Sequence, residues 1–556
     1  MTGTRWRSAL LLLLIGATPT PAADPTPIHA PAIFQVYRDI RLPLNPVTPA
    51  MASVPFVTSN AMQYTKLAPA KVFPNLCLYR YRAGTRSEQC QVFIDQGLGF
   101  YYSYVWMEAA RSFETALKYD PDCAFAWLGL HRSIEKWGKG NATPPLEKAK
   151  ELMPKASHRE QFLIRARLEE KGMMPGITPE ERVKKATATL DELLTIYDDD
   201  QEGWFYRAQL SPGNGSIPFY KALLRINPLH PGGTHELVHF YENFKRPALG
   251  WPYADAYIQS SPGIPHPFHM QAHLATRLGK WARTSDLSAR AVELERAYHA
   301  FQNVRPADDH QYAHHLDILT ISLVHDGRFQ EARAIKAEVQ RIGGKSEMLW
   351  YRLHQRERDY KEAFAIADLF RRKDKTGASY LAALLYLDQG DTKSAAPEID
   401  VLRLAQQQRK TDKKLEIRLW EAQGRYLCQT GAADEGLKLV ERAVLKTRDD
   451  FGHHSWGNGA YYMETWGEEA LTAGKLIVAE EAFLEALAHD PGSVRAALGM
   501  QVLCEKLGRT EEAARFATIA RRNWAKADSG RFDALRNEFI QKVNKLSPMT
   551  AGAGSQ

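Results

Sequence analysis

Apolar side chains recur at three- and four-residue steps along most of this chain, the spacing of one helix face, and alternating runs of the kind that mark half-buried strands do not stand out. The pattern gives way at both ends. Residues 24–75 carry Pro25, Pro27, Pro31, Pro43, Pro46, Pro49 and Pro55 among Thr and Ala, which predicts an extended lead-in, and residues 547–556 are small and polar. Between these ends the helices are predicted in pairs. "EAARSFETALKYDP" sets Ala109, Phe113, Ala116 and Pro121 at steps of four, three and five, and "AEEAFLEALAHDP" repeats those steps with Ala479, Phe483, Ala486 and Pro491. Small residues let two antiparallel helices approach, the aromatic ring fills the space between pairs, and the proline stops the second helix.

Those intervals are the tetratricopeptide signature. Turns of the form Gly-x-x-x-x-Ala, or close variants, are predicted at Gly279, Gly327, Gly390, Gly431, Gly474 and Gly508, with a glycine-free variant at Asp359-Tyr360. Gly474 and Gly508 stand 34 residues apart, the tetratricopeptide period, while other intervals run from about 31 to 48, so several repeats are irregular. The predicted fold is all-α: tetratricopeptide-like hairpins stacked into a right-handed superhelix, an α-solenoid. Its predicted organisation is a signal peptide (1–23), a Pro-rich extended segment (24–90), an array carrying a histidine cluster (91–335), a second array (336–546) and a disordered tail (547–556). The recurring Trp and Tyr residues, Trp106, Trp127, Trp204 and Trp281 among them, read as packing.

Composition adds little to this picture and excludes some partners. Of 556 residues, 44% are hydrophobic and 25% charged, as in soluble globular proteins. A net charge of +7 without a dense Lys/Arg stripe gives no nucleic-acid footprint, and Arg409-Lys410 with Lys413-Lys414 reads as a solvated patch. Arg5 and Arg7, the apolar run Ala9–Ala17 and the small pair Ala22-Ala23 form an export signal too short to span a bilayer. No cysteine follows that run to take a lipid, and no later segment is long and apolar enough for a membrane helix, so an exported, periplasmic or secreted protein is expected. In an oxidising compartment Cys77 and Cys90, flanking a polar stretch, could form a local disulfide; Cys123, Cys428 and Cys504 sit in apolar helical patterns as buried thiols, and no CxxC pair exists.

The candidate chemistry lies in histidines. His235 and His239, with Glu242 one turn on, share one helix face; His266, His269 and His273 share another. In the two clear repeats the turn precedes the closing proline by seventeen residues, at Tyr104 before Pro121 and Gly474 before Pro491. The same ruler applied to Pro262 puts a turn at Lys245. His235 and His239 then stand ten and six residues before that turn, as His269 and His273 do before Gly279; His266 and His314 stand thirteen before Gly279 and Gly327, and Asp317 ten before Gly327. Three successive first helices therefore present polar groups at matching heights on the concave side. The candidate metal set is His235, His239, Glu242, His266, His269, His273, His314 and Asp317, suited to zinc, iron or copper. Two other readings stay open: a groove that grips an anionic or hydrogen-bonding ligand without metal, and polar side chains that satisfy one another. Tetratricopeptide grooves also commonly receive a protein or peptide partner.

His235-Glu236-Leu-Val-His239 matches the HExxH pattern of zinc hydrolases, in which the Glu activates metal-bound water. Glu236 is turned about 100° around the helix from His235 and need not enter the groove; a solvent-facing Glu is the plainer expectation. The other clusters are weaker. Asp198-Asp199-Asp200 reads as a loop or helix cap, His453-His454 as a loop, and Gly343-Gly344-Lys345-Ser346 lacks the context of a phosphate loop. No nucleophile elbow or dinucleotide fingerprint is present.

"FIDQGLGFYYSYVWMEAARSFETALKYDPDCAFAWLG", the His235/His239/Glu242 helix, the segment with His266, His269, Met270, His273, Arg277 and Gly279, and Tyr312 with His314 together resemble a family of bacterial exported tetratricopeptide-repeat proteins with paired HxxxH helices. The resemblance covers roughly residues 91–335. It implies the fold and the choice of site residues, and no particular activity. Glu236 is not a feature of that family, His315 stands where it has Asn, and Asp317 where it has a second His.

Overall fold

The computed structural model describes residues 61–344, 346–448 and 459–544. Among the described residues all regular structure is helical, in twelve consecutive antiparallel hairpins and a closing helix, Arg531–Asn544. The protein is a helical-hairpin repeat solenoid. Each hairpin packs against the next, and the described residues form one compact unit. The helix Phe329–Arg341 carries the array through residue 335 without a break. The predicted signal peptide, most of the Pro-rich lead-in, His453-His454, Lys345 and the tail lie outside the described residues.

The turns obey one local rule. Tyr104, Lys245, Gly279, Gly327, Arg358, Gly390, Gly431, Gly474 and Gly508 all have φ between 59° and 98°, the left-handed conformation that glycine adopts freely and other residues adopt at a cost. The residue after each donates its backbone N–H back across the turn to the carbonyl four residues before the left-handed position, as Val105 does to Phe100, Arg246 to Tyr241, Lys280 to Ala275 and Arg509 to Cys504. Five residues beyond the left-handed position stands a buried small residue, including Ala109, Gly250, Thr284, Ala332, Ala363, Ala395, Gly436 and Ala479. The turn expected at Asp359 is made by Arg358, and those expected at Tyr104 and Lys245 form without glycine.

Packing between repeats follows from the aromatic position. Phe113 is wedged between Gly97 and Gly129, where an added Cβ would come within 2.9 and 2.4 Å of its ring. Phe483 sits in the same way between Gly467 and Gly499, with approaches of 2.5 and 2.4 Å. In both repeats the glycines stand sixteen residues before and after the ring.

Residues 61–87 contain no helix, yet they are more than a lead-in: Thr65, Leu76, Cys77, Tyr79, Tyr81 and Ala83 are buried against the first hairpins. The Cys77–Cys90 bridge that the sequence left open is not formed. All five cysteines are free thiols; Cys77 Sγ lies 3.4 Å from Ser261 Oγ, while Cys90, in the first turn of helix Glu88–Tyr102, lies beside Cys123. Cys123 and Cys504 are buried as expected, and Cys428 is half-buried. Asp200 caps the helix Gln201–Gln209, accepting from the Gly203 N–H at 2.7 Å.

Both ends of the array return to its middle. Tyr298, on helix Trp281–Gln302, donates to Glu108 at 3.0 Å, and Lys71 Nζ reaches the Phe301 carbonyl at 2.6 Å. From the other side, Asp490 accepts from Trp281 Nε1 at 3.0 and 3.1 Å, and Trp524 Nε1 donates to the His325 carbonyl at 2.7 Å. The first turn of the chain thus lies over the histidine-bearing hairpins.

Candidate metal centre

Three first helices carry the histidines: Pro231–Asn243, Pro265–Arg277 and Tyr312–His325. The first two open on proline at N1, where the missing N–H costs no intrahelical bond and φ is already set. His230 caps the first, its Nδ1 accepting from the Gly233 N–H at 3.2 Å. The histidines that follow divide into two trios, His235/His239/His266 and His269/His273/His314. In each, the three candidate ligand nitrogens all lie within 4.8 Å of one another.

The division has a simple origin in the repeat. Each trio takes the pair ten and six residues before one turn and the histidine thirteen before the next, using the turns at Lys245, Gly279 and Gly327. The two trios are thus one arrangement repeated one hairpin along. His266 and His269, three residues apart on the same helix, serve different trios, and their ring centroids are 5.6 Å apart.

The same rule leaves Asp317 outside both trios. It begins a third set, ten residues before Gly327, but Ile321 stands six before that turn, and Lys345 stands thirteen before Arg358. Asp317 instead accepts from Ser346 Oγ and lines, with His314, Met348, Leu349 and Phe370, a pocket of about 310 Å³. Burial raises its pKa above the usual carboxyl value.

Glu242 has an ion-pair partner of its own. Its Oε1 accepts from Arg277 Nη2 at 2.9 Å and Nε at 3.2 Å, and lies 3.2 Å from His273 Nδ1. His239 Nδ1 is 4.0 Å from Oε2. Burial opposes ionisation here, but His273, Arg277 and His239 overcome it and draw the carboxyl down to about 2. Glu242 is a buried carboxylate that orients one ring of the second trio, the arrangement that commonly supports a metal-bound imidazole.

Several of the rings are held in the neutral form that donates a lone pair to a metal. Burial holds His235, His266 and His269 well below the usual imidazole range, and draws His239 to about 4. His235 Nδ1 donates to the Tyr102 carbonyl at 2.7 Å, which leaves its Nε2 with a lone pair, 3.0 Å from His266 Nε2. His239 Nε2, His266 Nδ1 and His269 Nδ1 are buried with no hydrogen-bond partner among the described residues. Each is an orphaned nitrogen of the kind a metal ion satisfies.

Two side chains that the sequence singled out only for other reasons complete the site. Tyr104, the left-handed turn residue, lies with its ring centroid 4.4 Å from His235 and 5.9 Å from both His239 and His266, roofing the first trio. Its hydroxyl donates to Glu236 at 2.8 Å, so Glu236 is half-buried against Tyr104 rather than facing solvent, and burial raises its pKa. His315 is buried with its ring centroid 4.0 Å from His269, and its Nδ1 lies 2.9 Å from Glu295. Burial draws it to about 4. His314 is exposed, so the second trio opens toward the 310 Å³ pocket while the first lies under Tyr104.

No protein-family model and no curated protein matches the chain. Solved structures that it resembles include the P58(IPK) TPR domain (11% identity, 77% of this chain and 98% of that one, TM-score 0.22). Yeast Tom70 is similar at 12% identity over 82% and 95%, with a TM-score of 0.31. A human IFIT1 dimer with m7Gppp-AAAA is similar at 13% over 79% and 91%, with a TM-score of 0.25.

Proposed function

We propose that the protein is an exported helical-repeat binding protein whose buried histidine cluster holds a transition metal. The observation that carries this reading is the convergence of six imidazoles from three consecutive first helices into two groups with ligand-spaced nitrogens. Imidazole ligands suit zinc, iron or copper better than magnesium or calcium, which favour oxygen ligands. An ion in either trio would cross-link two neighbouring hairpins of the repeat array, fixing the surface on which a protein or peptide partner docks. Among the described residues no helix is long and apolar enough to cross a membrane.

Nothing in the geometry favours a hydrolase. Glu236 lies outside both trios with its carboxylate engaged by Tyr104, so activating a metal-bound water would require that bond to break. The test is metal analysis of the untagged full chain after purification without added chelator, followed by stripping and reloading with zinc. The expected result is retained metal, and a raised melting temperature on reloading that the His239→Ala/His273→Ala variant does not show. A chain that carries no metal and melts at the same temperature with and without zinc overturns the reading.

A further inference from the structure

From the repeat symmetry of the two trios we infer that the protein binds two metal ions, one in His235/His239/His266 and one in His269/His273/His314. The inference rests on the metal reading above and deepens it. One ion cannot use all six rings: a tetrahedral or five-coordinate transition ion takes three or four imidazoles at about 2 Å each. The six rings are already sorted into threes, and each three is an i, i+4 pair completed by the histidine thirteen residues before the following turn. A single site assembled from unrelated histidines would have no reason to repeat with the hairpin.

The two positions differ in what surrounds them. The first is roofed by Tyr104 and braced by the Tyr102 carbonyl on His235, and so is the more enclosed of the two. The second has Glu242 and Arg277 on His273 and opens beside His314 to the pocket lined by Met348, Leu349 and Phe370. A three-imidazole ion with an open side retains a position for water or a small exogenous ligand.

Cobalt(II) separates these claims, because its visible absorption reports each ion and responds to ligand exchange. Stripped full-length protein is titrated with cobalt(II) alone, with stoichiometry checked by elemental analysis. Two equivalents are expected. His239→Ala and His314→Ala change the most accessible ring of each trio, and each is expected to retain one equivalent, with the double variant retaining none. Azide is expected to shift the spectrum of wild type and His239→Ala, and to leave that of His314→Ala unmoved. Circular dichroism of each stripped variant identifies any that fail to fold, for which His239→Gln and His314→Gln are the replacements. A saturating single equivalent in wild type, or loss of both ions from either single variant that folds, overturns the two-ion inference and leaves the metal reading standing. No cobalt bound by wild type overturns both.

Discussion

At the scale of single residues, the left-handed turn position shows what a side chain costs and what it can return. Tyr104 and Lys245 have φ of 59° and 60°, where an L-residue gives up roughly 1 kcal/mol relative to glycine. Tyr104 has a compensation, since its ring covers three histidines and its hydroxyl holds Glu236. Lys245 has none of that kind: it is exposed. Lys245→Gly is therefore expected to raise unfolding stability by up to about 1 kcal/mol, less the extra backbone entropy that glycine brings to the unfolded chain. Urea denaturation at fixed metal content measures it, and a destabilised variant would show that the turn gains something from the lysine. Both turns were legible in the sequence although neither contains glycine, because distance to the closing proline located them. The role of Tyr104 over the histidines was not legible, since it depends on a helix more than a hundred residues further along the chain.

At the scale of helices, stability is concentrated where an aromatic ring is clasped between glycines. A methyl group at Gly129 would start 2.4 Å from the Phe113 ring, and the ring has no room to retreat because Gly97 already touches its other side. Gly129→Ala is expected to cost about 1–3 kcal/mol by overpacking, and Phe113→Ala about 3–5 kcal/mol by leaving a cavity between hairpins. The two effects should be strongly non-additive, because removing the ring removes what the new methyl strikes. A double-mutant cycle in thermal or urea unfolding checks this; additive losses would show that the methyl strikes something other than the ring. The alanines and the ring were readable from their spacing alone, and so were the heights of His235, His239, His266, His269, His273 and His314. Their partition into threes was not, because the ruler gives height along a helix and not which neighbouring helix a ring turns toward. Asp317 satisfied the height rule but joins no third trio, because the positions that would complete its set hold Ile321 and Lys345, and it accepts from Ser346 instead.

At the scale of the whole array, the repeat period says nothing about where the ends go, and here they come back. The contact that best represents this closure joins residues 209 apart: Trp281 Nε1 donates to both carboxylate oxygens of Asp490, which also accepts from the Gly492 N–H at 3.0 Å. Trp281 stacks on His325 at 3.8 Å between ring centroids, so the latch lies beside the hairpin that carries His314. Asp490 is buried, and desolvation, aided by the nearby Glu464, raises its pKa to about 7 despite those hydrogen bonds. An unfolded aspartate titrates near 4, so between about pH 4 and 7 the folded chain holds a proton that the unfolded chain has released. The contribution of this group is therefore fully present below about pH 4 and is lost as pH rises through 7, a change on the order of a few kcal/mol. Asp490→Asn keeps an acceptor for Trp281 and does not titrate. Wild type should lose stability relative to this variant as pH rises from 4 to 7, with no further divergence above about pH 8. Urea unfolding followed by Trp fluorescence across that range measures the difference, and a gap that stays constant with pH would show that Asp490 is ionised throughout and that the closure is not proton-linked.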